Sequence, residues 1–454
     1  MINRTRSVWS IAIAGALALS SCDVFMPARC DLSMLDRIDI ERVMDDLEYL
    51  TVDIGPRLAA SQEEAKAAEF IAGVFEEYGY EVEIQEFPTR GMISGRLDIL
   101  EPEPQAINIT LARERGVDPV DHILVGYGEV GVTGRVVEAG EGGPDDFPED
   151  VAGQIALVER SDLPIEDVVS NAAAAGATAL LIANNTWRRY RLTLPGSPPI
   201  PIVTMGQDNA ERLRAAGPQM VRLSAHYGEG SQNVIATRKV PGQPDAPIVI
   251  FTAHYDSVEE APGASDNASG TVAIMELARL YSRVPVGVEL RFAAVGAEEI
   301  GLVGSRYYVR ELPEEERARI VANYNMDMVA TASEEHGQLR AGTVDGEDNL
   351  VTLSAKAALQ VLEYPDDMFH APRRGGGSDH VPFHGAGIPA AAFAYHHPET
   401  GRLEPWYHTP RDEFERICPD RLHTAIRMVA TASMKVACED GPMRPGVEVA
   451  VPDN

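Results

Sequence analysis

Cysteine is scarce in this chain, and basic residues are outnumbered. Only four cysteines occur and no two are spaced Cys-x-x-Cys, which argues against a cysteine-built zinc site. Lys and Arg total 39 against 70 Asp and Glu, a formal charge of −31. Such a surface repels phosphates, so nucleic acid is excluded as the working partner. The acidity serves solubility; attraction of cationic substrates cannot be read from charge alone. No apolar run reaches the roughly 20 residues that a bilayer core demands. No Gly-x-Ser-x-Gly elbow occurs, which argues against a serine hydrolase of that design. Internal repeats and low-complexity tracts are missing too. What remains is a 454-residue chain, 44% hydrophobic, with enough apolar content for a packed core and enough length for two or three domains.

The N-terminus reads as an address. Arg4 and Arg6 precede an apolar run from Val8 to Leu19, the pattern of a secretory signal. Leu19-Ser20-Ser21-Cys22 resembles the lipobox of bacterial lipoproteins, which implies that residues 1–22 are a lipoprotein signal peptide region cut just before Cys22, leaving Cys22 as the lipidated first residue, with an exported location in the cell envelope. Cys30, Cys418 and Cys438 are then left. The last two flank a helical segment whose ends lie about 30 Å apart, against the roughly 4.4–6.8 Å that a disulfide spans, so they cannot pair with each other. Cys30 is free to pair with either.

Residues 61–78, "SQEEAKAAEFIAGVFEEY", open on a capping box, Ser61 with Glu64, and carry an apolar stripe of Ala68, Ile71, Phe75 and Tyr78 before Gly79 stops the helix. "YEVEIQEF" then alternates as a strand does. From about residue 96 short strands alternate with Gly/Pro turns. "VAGQIALVER" and "NAAAAGATALLIANN" resemble a protease-associated domain, an insert of exported peptidases, and no titratable cluster of catalytic kind lies here. From about residue 232 apolar strands alternate with amphipathic helices, the pattern of an α/β sheet covered on both faces. The expected architecture is an α/β three-layer sandwich with a mostly parallel central sheet, formed by 33–95 and 230–440. A smaller β-rich α/β insert occupies 96–229.

Ligand sites in such sheets gather where strands end. "FTAHYDSVEEAPGASDNASG" (251–270) places His254 at a strand end, Asp256 two residues later, and Asp266 just before a helix. About one residue in seven is acidic, so a lone His-x-Asp is compatible with chance. It has company. Glu298 and Glu299 end "VELRFAAVGAEE", Asp327 ends "ANYNMD", and His408 lies in the loop "WYHTPRD". Imidazoles and carboxylates of this kind suit two divalent metals sharing a carboxylate, where three carboxylates and a hydroxide balance the charge. Glu259, Glu260 and mid-helix Glu276 read as solvated acids.

Together, His254-x-Asp256, the Asp266 loop, Glu298-Glu299, Asn325-Met-Asp327-Met328 and Tyr407-His408-Thr409-Pro410 resemble the M28 family of co-catalytic zinc aminopeptidases. The resemblance spans about 35–95 and 232–437. It implies two zinc ions per chain and peptide substrates. His254 and Asp327 would bind one zinc, Glu299 and His408 the other, and Asp266 both. Glu298 would be the general base, Asp256 would orient His254, and Tyr407 would hydrogen-bond the oxyanion, with Tyr395 nearby in sequence as its rival. A strict strand would turn Glu298 and Glu299 to opposite faces, so the resemblance implies a loop there. Ser378-Asp379-His380 fits a supporting or pocket-lining role better than a catalytic triad. His122, His226 and His423 read as surface or packing residues. A carboxypeptidase or dipeptidase, a glutaminyl-cyclase-like enzyme and an inactive binding protein are the alternatives; the complete ligand set disfavours the last. Oligomeric state cannot be read.

Overall fold

A computed structural model describes residues 32–438, apart from 103, 112, 115–130, 189, 195, 197 and 218–219. The proposed signal segment, Cys22, Cys30 and His122 lie outside those residues. In chain order the described elements begin with α1 (Ile40–Glu48), α2 (Gln62–Glu77), β1 (Glu81–Glu101), β2 (Gln105–Leu111), β3 (Arg113–Glu114) and β4 (Val132–Glu138). There follow β5 (Ile155–Glu159), α3 (Ile165–Ala174), β6 (Ala179–Ala183), β7 (Thr193–Leu194), β8 (Ile202–Met205), α4 (Gln207–Ala215) and β9 (Met220–Arg238). The chain continues with β10 (Ile248–His254), α5 (Ser269–Tyr281), β11 (Glu289–Val295), α6 (Val303–Glu311), α7 (Glu314–Arg319), β12 (Ile320–Met326) and β13 (Gln338–Thr343). It ends with α8 (Leu350–Val361), β14 (Phe369–Arg374), α9 (His380–Gly385), β15 (Ala390–His396) and α10 (Pro419–Ala437).

The peptidase-like sheet runs β1-β9-β11-β10-β12-β15-β13-β14. Its centre, β11-β10-β12-β15, is parallel, while β9 and β13 join antiparallel. Every residue of β10 and β11 is buried, because helices cover both faces. The larger core packs α1, α2, α5, α8 and α10 on one face; a second core packs α6 and α9 on the other. This is the expected three-layer α/β sandwich. Across the first face runs an aromatic row: Phe292 stacks on Phe251 at 4.8 Å, Phe251 on Tyr324 at 5.5 Å, and Tyr324 on Phe393 at 6.2 Å. The row matches the register, Phe251 lying beside both Phe292 and Tyr324. Sheet pairing with large same-face side chains resists a slip of one residue, which would turn them all to the other face. That register brings the ends of β10, β11 and β12 to one edge.

β1 and β9 are long and antiparallel, and they leave this sheet to enter a second one. There β1-β2-β8-β6-β5-β4-β9 closes back on β1 as a seven-stranded barrel. Leu97, Ile107, Leu157, Leu181, Val203 and Leu223 belong to one buried core of this insert, and α3 packs on another. The expected boundaries at 96 and 229 therefore fall inside β1 and β9: one continuous ribbon serves both sheets, so the change of texture marks no break in the strands.

Three expectations for acids need correction. Glu259 and Glu260 are buried, at 8% and 3% exposure, not solvated. Glu260 accepts hydrogen bonds from Thr110 Oγ1, from Gly206 N at 2.9 Å and from Asn209 Nδ2 at 3.4 Å, so it ties the 255–264 loop to the insert. Glu276 is 2% exposed; it pairs with Arg279 at 2.6 Å and accepts the Asp39 amide at 2.9 Å. The capping box is half formed. Ser61 Oγ accepts the Glu64 amide, but the Glu64 carboxylate turns to Ala60 N, Ser231 Oγ and Ala297 N. Cys418 and Cys438 do flank α10 and do not pair: Cys438 is in a disulfide and Cys418 is a free thiol. His423 is half-buried on α10. Among the described residues no helix is long and apolar enough to cross a membrane.

Glu260→Ala should strand three polar groups at the insert contact and cost about 1–3 kcal/mol of stability. Urea unfolding of the variant against the wild type measures this; a loss within about 0.5 kcal/mol, the range of an ordinary surface change, would remove the role.

Candidate metal centre

His254 is the last residue of β10, and its ring is 1% exposed. Nδ1 faces Asp256, 3.2 Å from its carbonyl oxygen and 3.5 Å from Oδ1. That leaves Nε2 toward Asp266 Oδ1 at 3.2 Å and Asp327 Oδ1 at 3.6 Å. A carboxylate or carbonyl behind one ring nitrogen is what fixes the tautomer of a metal-binding histidine. Asp327 follows β12 directly, and Met328 after it has φ 62. His408 Nε2 lies 3.1 Å from Asp266 Oδ2 and 3.0 Å from Glu299 Oε2. Asp266 therefore gives one oxygen to each imidazole.

Asp266 is held from behind. The Asp412 carboxylate accepts the amides of Ser265 at 2.7 Å and Asp266 at 3.0 Å. Asn267 accepts from Gly270 N at 2.8 Å and Met328 N at 3.2 Å and donates to Met326 O at 2.9 Å, so it staples the start of α5 to the end of β12. Gly270 permits that approach, since a Cβ there would collide with Met326 O. Arg57, with no exposed surface, donates to the carbonyls of Tyr255, Pro262 and Gly263, which shapes the loop between Asp256 and Asp266.

Glu298 and Glu299 reach the same site because the strand has already ended. β11 stops at Val295, and Ala297 adopts φ 54. The Asp256 carboxylate then accepts both following amides, Glu298 N at 3.0 Å and Glu299 N at 3.2 Å, while Glu64 accepts Ala297 N at 3.1 Å. Asp256 thus holds a turn as well as an imidazole.

Two groups of donors result: His254, Glu298 and Asp327, and Asp266, Glu299 and His408. Zinc–donor bonds of 2.0–2.1 Å at tetrahedral angles put neighbouring donors about 3.3 Å apart, and the separations above bracket that value. Asp327 Oδ1 and Glu299 Oε1 are buried without a hydrogen-bond partner, as metal-directed oxygens would be. The residues present fit zinc.

The electrostatics agree. Burial alone would lower the His254 imidazolium, yet Glu298, Asp256, Asp266 and Asp327 raise it well above its ordinary value. Burial likewise opposes His408, but Asp266 and Glu299 lift it to about 9. Burial pushes Glu299 up to about 7, with Asp266 adding to it, and pushes Glu298 well up against the pull of His254. Asp266 goes the other way: burial would raise it, but His254 and His408 hold it below the usual carboxylate range. A cluster that retains protons in this manner is short of positive charge.

A cavity of about 240 Å³ opens beside the donors, lined by His254, Asp266, Glu298, Asp327, Tyr407 and His408 among others. Tyr407 stacks on His408 at 3.7 Å; burial and the surrounding carboxylates push its phenol up, so it stays a donor. Tyr395 does not line the cavity and donates to Arg421 O at 3.2 Å. Ser378 accepts from Asn325 Nδ2 at 2.7 Å, and His380 Nε2 lies 3.0 Å from Gly375 O, so the two are engaged apart from each other. Sequence reasoning missed Arg57, Glu64, Asn267 and Asp412. They act through backbone groups, and only the Asp412 position, four residues after His408, carried a hint. A larger cavity of about 560 Å³ between insert and sheet is lined by Arg96, Glu63 and Asp98; Arg96 pairs with Glu63 at 2.8 Å and with Asp98 at 2.7 Å.

Comparison with known proteins gives the site a lineage. Residues 233–433 match the model of Peptidase family M28, and residues 132–213 match the PA domain. Aminopeptidase YwaD of Bacillus subtilis (strain 168) is 38% identical over 85% of this chain and 82% of its own length. The solved structure of BSAP, a zinc aminopeptidase from Bacillus subtilis, is 35% identical, covering 88% of this chain and 96% of that one at a TM-score of 0.61. A probable lipoprotein aminopeptidase, LpqL of Mycobacterium tuberculosis, is 28% identical over 73% of this chain and 70% of its own. With the donor set, the covered sheet and the inserted barrel all in agreement, the chain belongs to peptidase family M28.

Proposed function

We propose that this zinc-dependent aminopeptidase works with two zinc ions, His254 and Asp327 holding one, Glu299 and His408 the other, and Asp266 both. The division of the two Asp266 oxygens between His254 and His408 carries this reading. Zinc supplies Lewis-acid polarisation and makes water nucleophilic near neutral pH. The chain's own residues do the rest. Glu298 lines the cavity beside the donors and takes the proton of the attacking water, then delivers it to the leaving amine. Burial holds its carboxyl up, and added positive charge would bring it down and prepare it as a base. Tyr407 donates its hydroxyl hydrogen to the carbonyl oxygen as charge builds there. Asp256 keeps Nε2 of His254 available and holds the Glu298–Glu299 turn, so one carboxylate supports a ligand of each zinc and the base.

We also propose that the protein is exported and anchored through lipid on Cys22, as the Leu19-Ser20-Ser21-Cys22 motif implies. The relative described as a probable lipoprotein aminopeptidase supports this.

The zinc-loaded protein should contain two zinc per chain by atomic emission, and Glu298→Gln should keep both while turnover of leucine 4-nitroanilide falls about 10²–10⁴-fold. Loss of metal in that variant, or near-normal turnover, would reassign Glu298. The chelator-stripped protein should lose stability as pH rises from about 5 to 9. Glu299 and Asp412 near 7, Glu404 near 8 and His408 near 9 all lie above their ordinary values, so the folded state binds more protons and stability declines as they leave. Zinc replaces those protons, so melting temperatures of the loaded protein should vary less over that range; parallel slopes would contradict the assignment. Cys22→Ser should move the protein from the membrane to the soluble fraction, and unchanged partition would remove the anchor.

A further inference from the structure

Besides the donor groups, the cavity lining holds three arginines. β13 and β14 run parallel, with Gly342 beside Arg373 and Thr343 beside Arg374. Arg340, Arg373 and Arg374 all line the cavity. Among the described residues none of the three has a carboxylate partner, although the chain carries a formal charge of −31. Arg340 is 4% exposed. Its Nε donates to Gln338 Oε1 at 2.8 Å and its Nη2 to the carbonyls of His397 and Pro398, while Nη1 is buried with no partner. A buried guanidinium with an open nitrogen is costly unless a ligand completes it. The Arg373 guanidinium lies against Gly401, where any Cβ would strike it.

Two exposed glycines of the same lining leave room for a ligand as well. Gly376 and Gly377 line the cavity, and neither has a left-handed φ. A Cβ on either would meet no protein atom within 4 Å. Neither the backbone nor the packing therefore demands glycine there. The space that these residues leave open belongs to whatever enters the cavity.

Resting on the aminopeptidase reading above, we propose that the recess walled by Arg340, Arg373 and Arg374 binds a substrate carboxylate, that of an acidic N-terminal residue, and so selects peptides beginning with Glu or Asp. Guanidinium is the side chain best matched to a carboxylate, through two parallel N–H···O bonds. A lysine-like or apolar first side chain would leave the guanidinium groups unmatched. The recess shares the cavity with Glu298 and Tyr407. A second source of the same chemistry is the C-terminal carboxylate of a dipeptide.

The test compares the zinc-loaded wild type with Arg373→Gln and Arg373→Lys, because Arg373 is half-buried and the less disruptive site to change. Substrates are the 4-nitroanilides of Glu, Gln and Leu, and Leu-Gly against its amide. Binding of free glutamate against glutamine is read by calorimetry. The wild type should favour Glu over Gln at least tenfold in kcat/KM and bind glutamate the more tightly. Arg373→Gln should cut that ratio at least fivefold, and Arg373→Lys, which keeps the charge without the paired N–H groups, should restore only part of it. Preference for Leu-Gly over its amide, sensitive to Arg373→Gln, would place the bound carboxylate at the other end of the substrate and overturn the acidic-residue assignment. Equal handling of Glu and Gln in both turnover and binding would overturn the recess altogether. Failure to cleave even the leucine substrate would contradict the aminopeptidase reading, and calorimetry would still decide the recess.

Discussion

The site depends on one carboxylate being held open in two directions. Asp266 offers Oδ1 to His254 and Oδ2 to His408, and it can do so only because its own backbone is fixed by Asp412 from behind. If Asp266 turned by a rotamer, one imidazole would lose its partner and the two donor groups would separate. The neighbouring supports serve the same geometry. Arg57 shapes the loop before Asp266, Asn267 ties the loop after it to β12, and Asp256 fixes the turn that brings Glu299 to His408. None of these supports faces the cavity. They hold peptide groups, and the peptide groups hold the donor side chains.

That arrangement concentrates acids in a buried place. Glu64, Glu298, Glu299, Asp379, Glu404 and Asp412 are all pushed upward, by burial first and by neighbouring charge in each case. Protein cations answer this only in part: Arg57 is near but spends its hydrogen bonds on carbonyls, and the arginines that line the cavity, Arg340, Arg373 and Arg374, form no ion pair with any of these acids among the described residues. Bound zinc would supply the missing counter-charge. The fold tolerates the cluster because the aromatic row and the cores on both faces of the sheet fix the strand ends independently of it.

Much of this was legible in the sequence, and the rest was hidden for definite reasons. His254, Asp327 and the Glu298–Glu299 pair announced themselves as polar residues closing apolar runs, and strand ends are where α/β folds place ligands. Alternating helices and strands gave the layered architecture. Glu259, Glu260 and Glu276 were misread because an acid in a loop or on a helix is ordinarily solvated; burial here comes from the insert folding back on the 255–264 loop and from α1 packing over α5. The Glu298–Glu299 geometry turned on the left-handed Ala297, a conformation with no residue-type signal. The barrel's use of β1 and β9 was invisible because strand alternation carries no mark of which sheet a strand serves.

The insert does more than share strands. Glu260 ties it to the loop that leads to Asp266, and Arg411, three residues after His408, pairs with Asp208 of the insert at 2.6 and 3.0 Å. Two of the loops that carry donors are thus braced from outside the peptidase sheet. The proposed two-zinc centre stands or falls on what Asp266 joins. Zinc-edge anomalous diffraction from zinc-loaded crystals should show two peaks, one between His254 and Asp327 and one between Glu299 and His408, each in contact with Asp266. A single peak, or a peak away from Asp266, would contradict it.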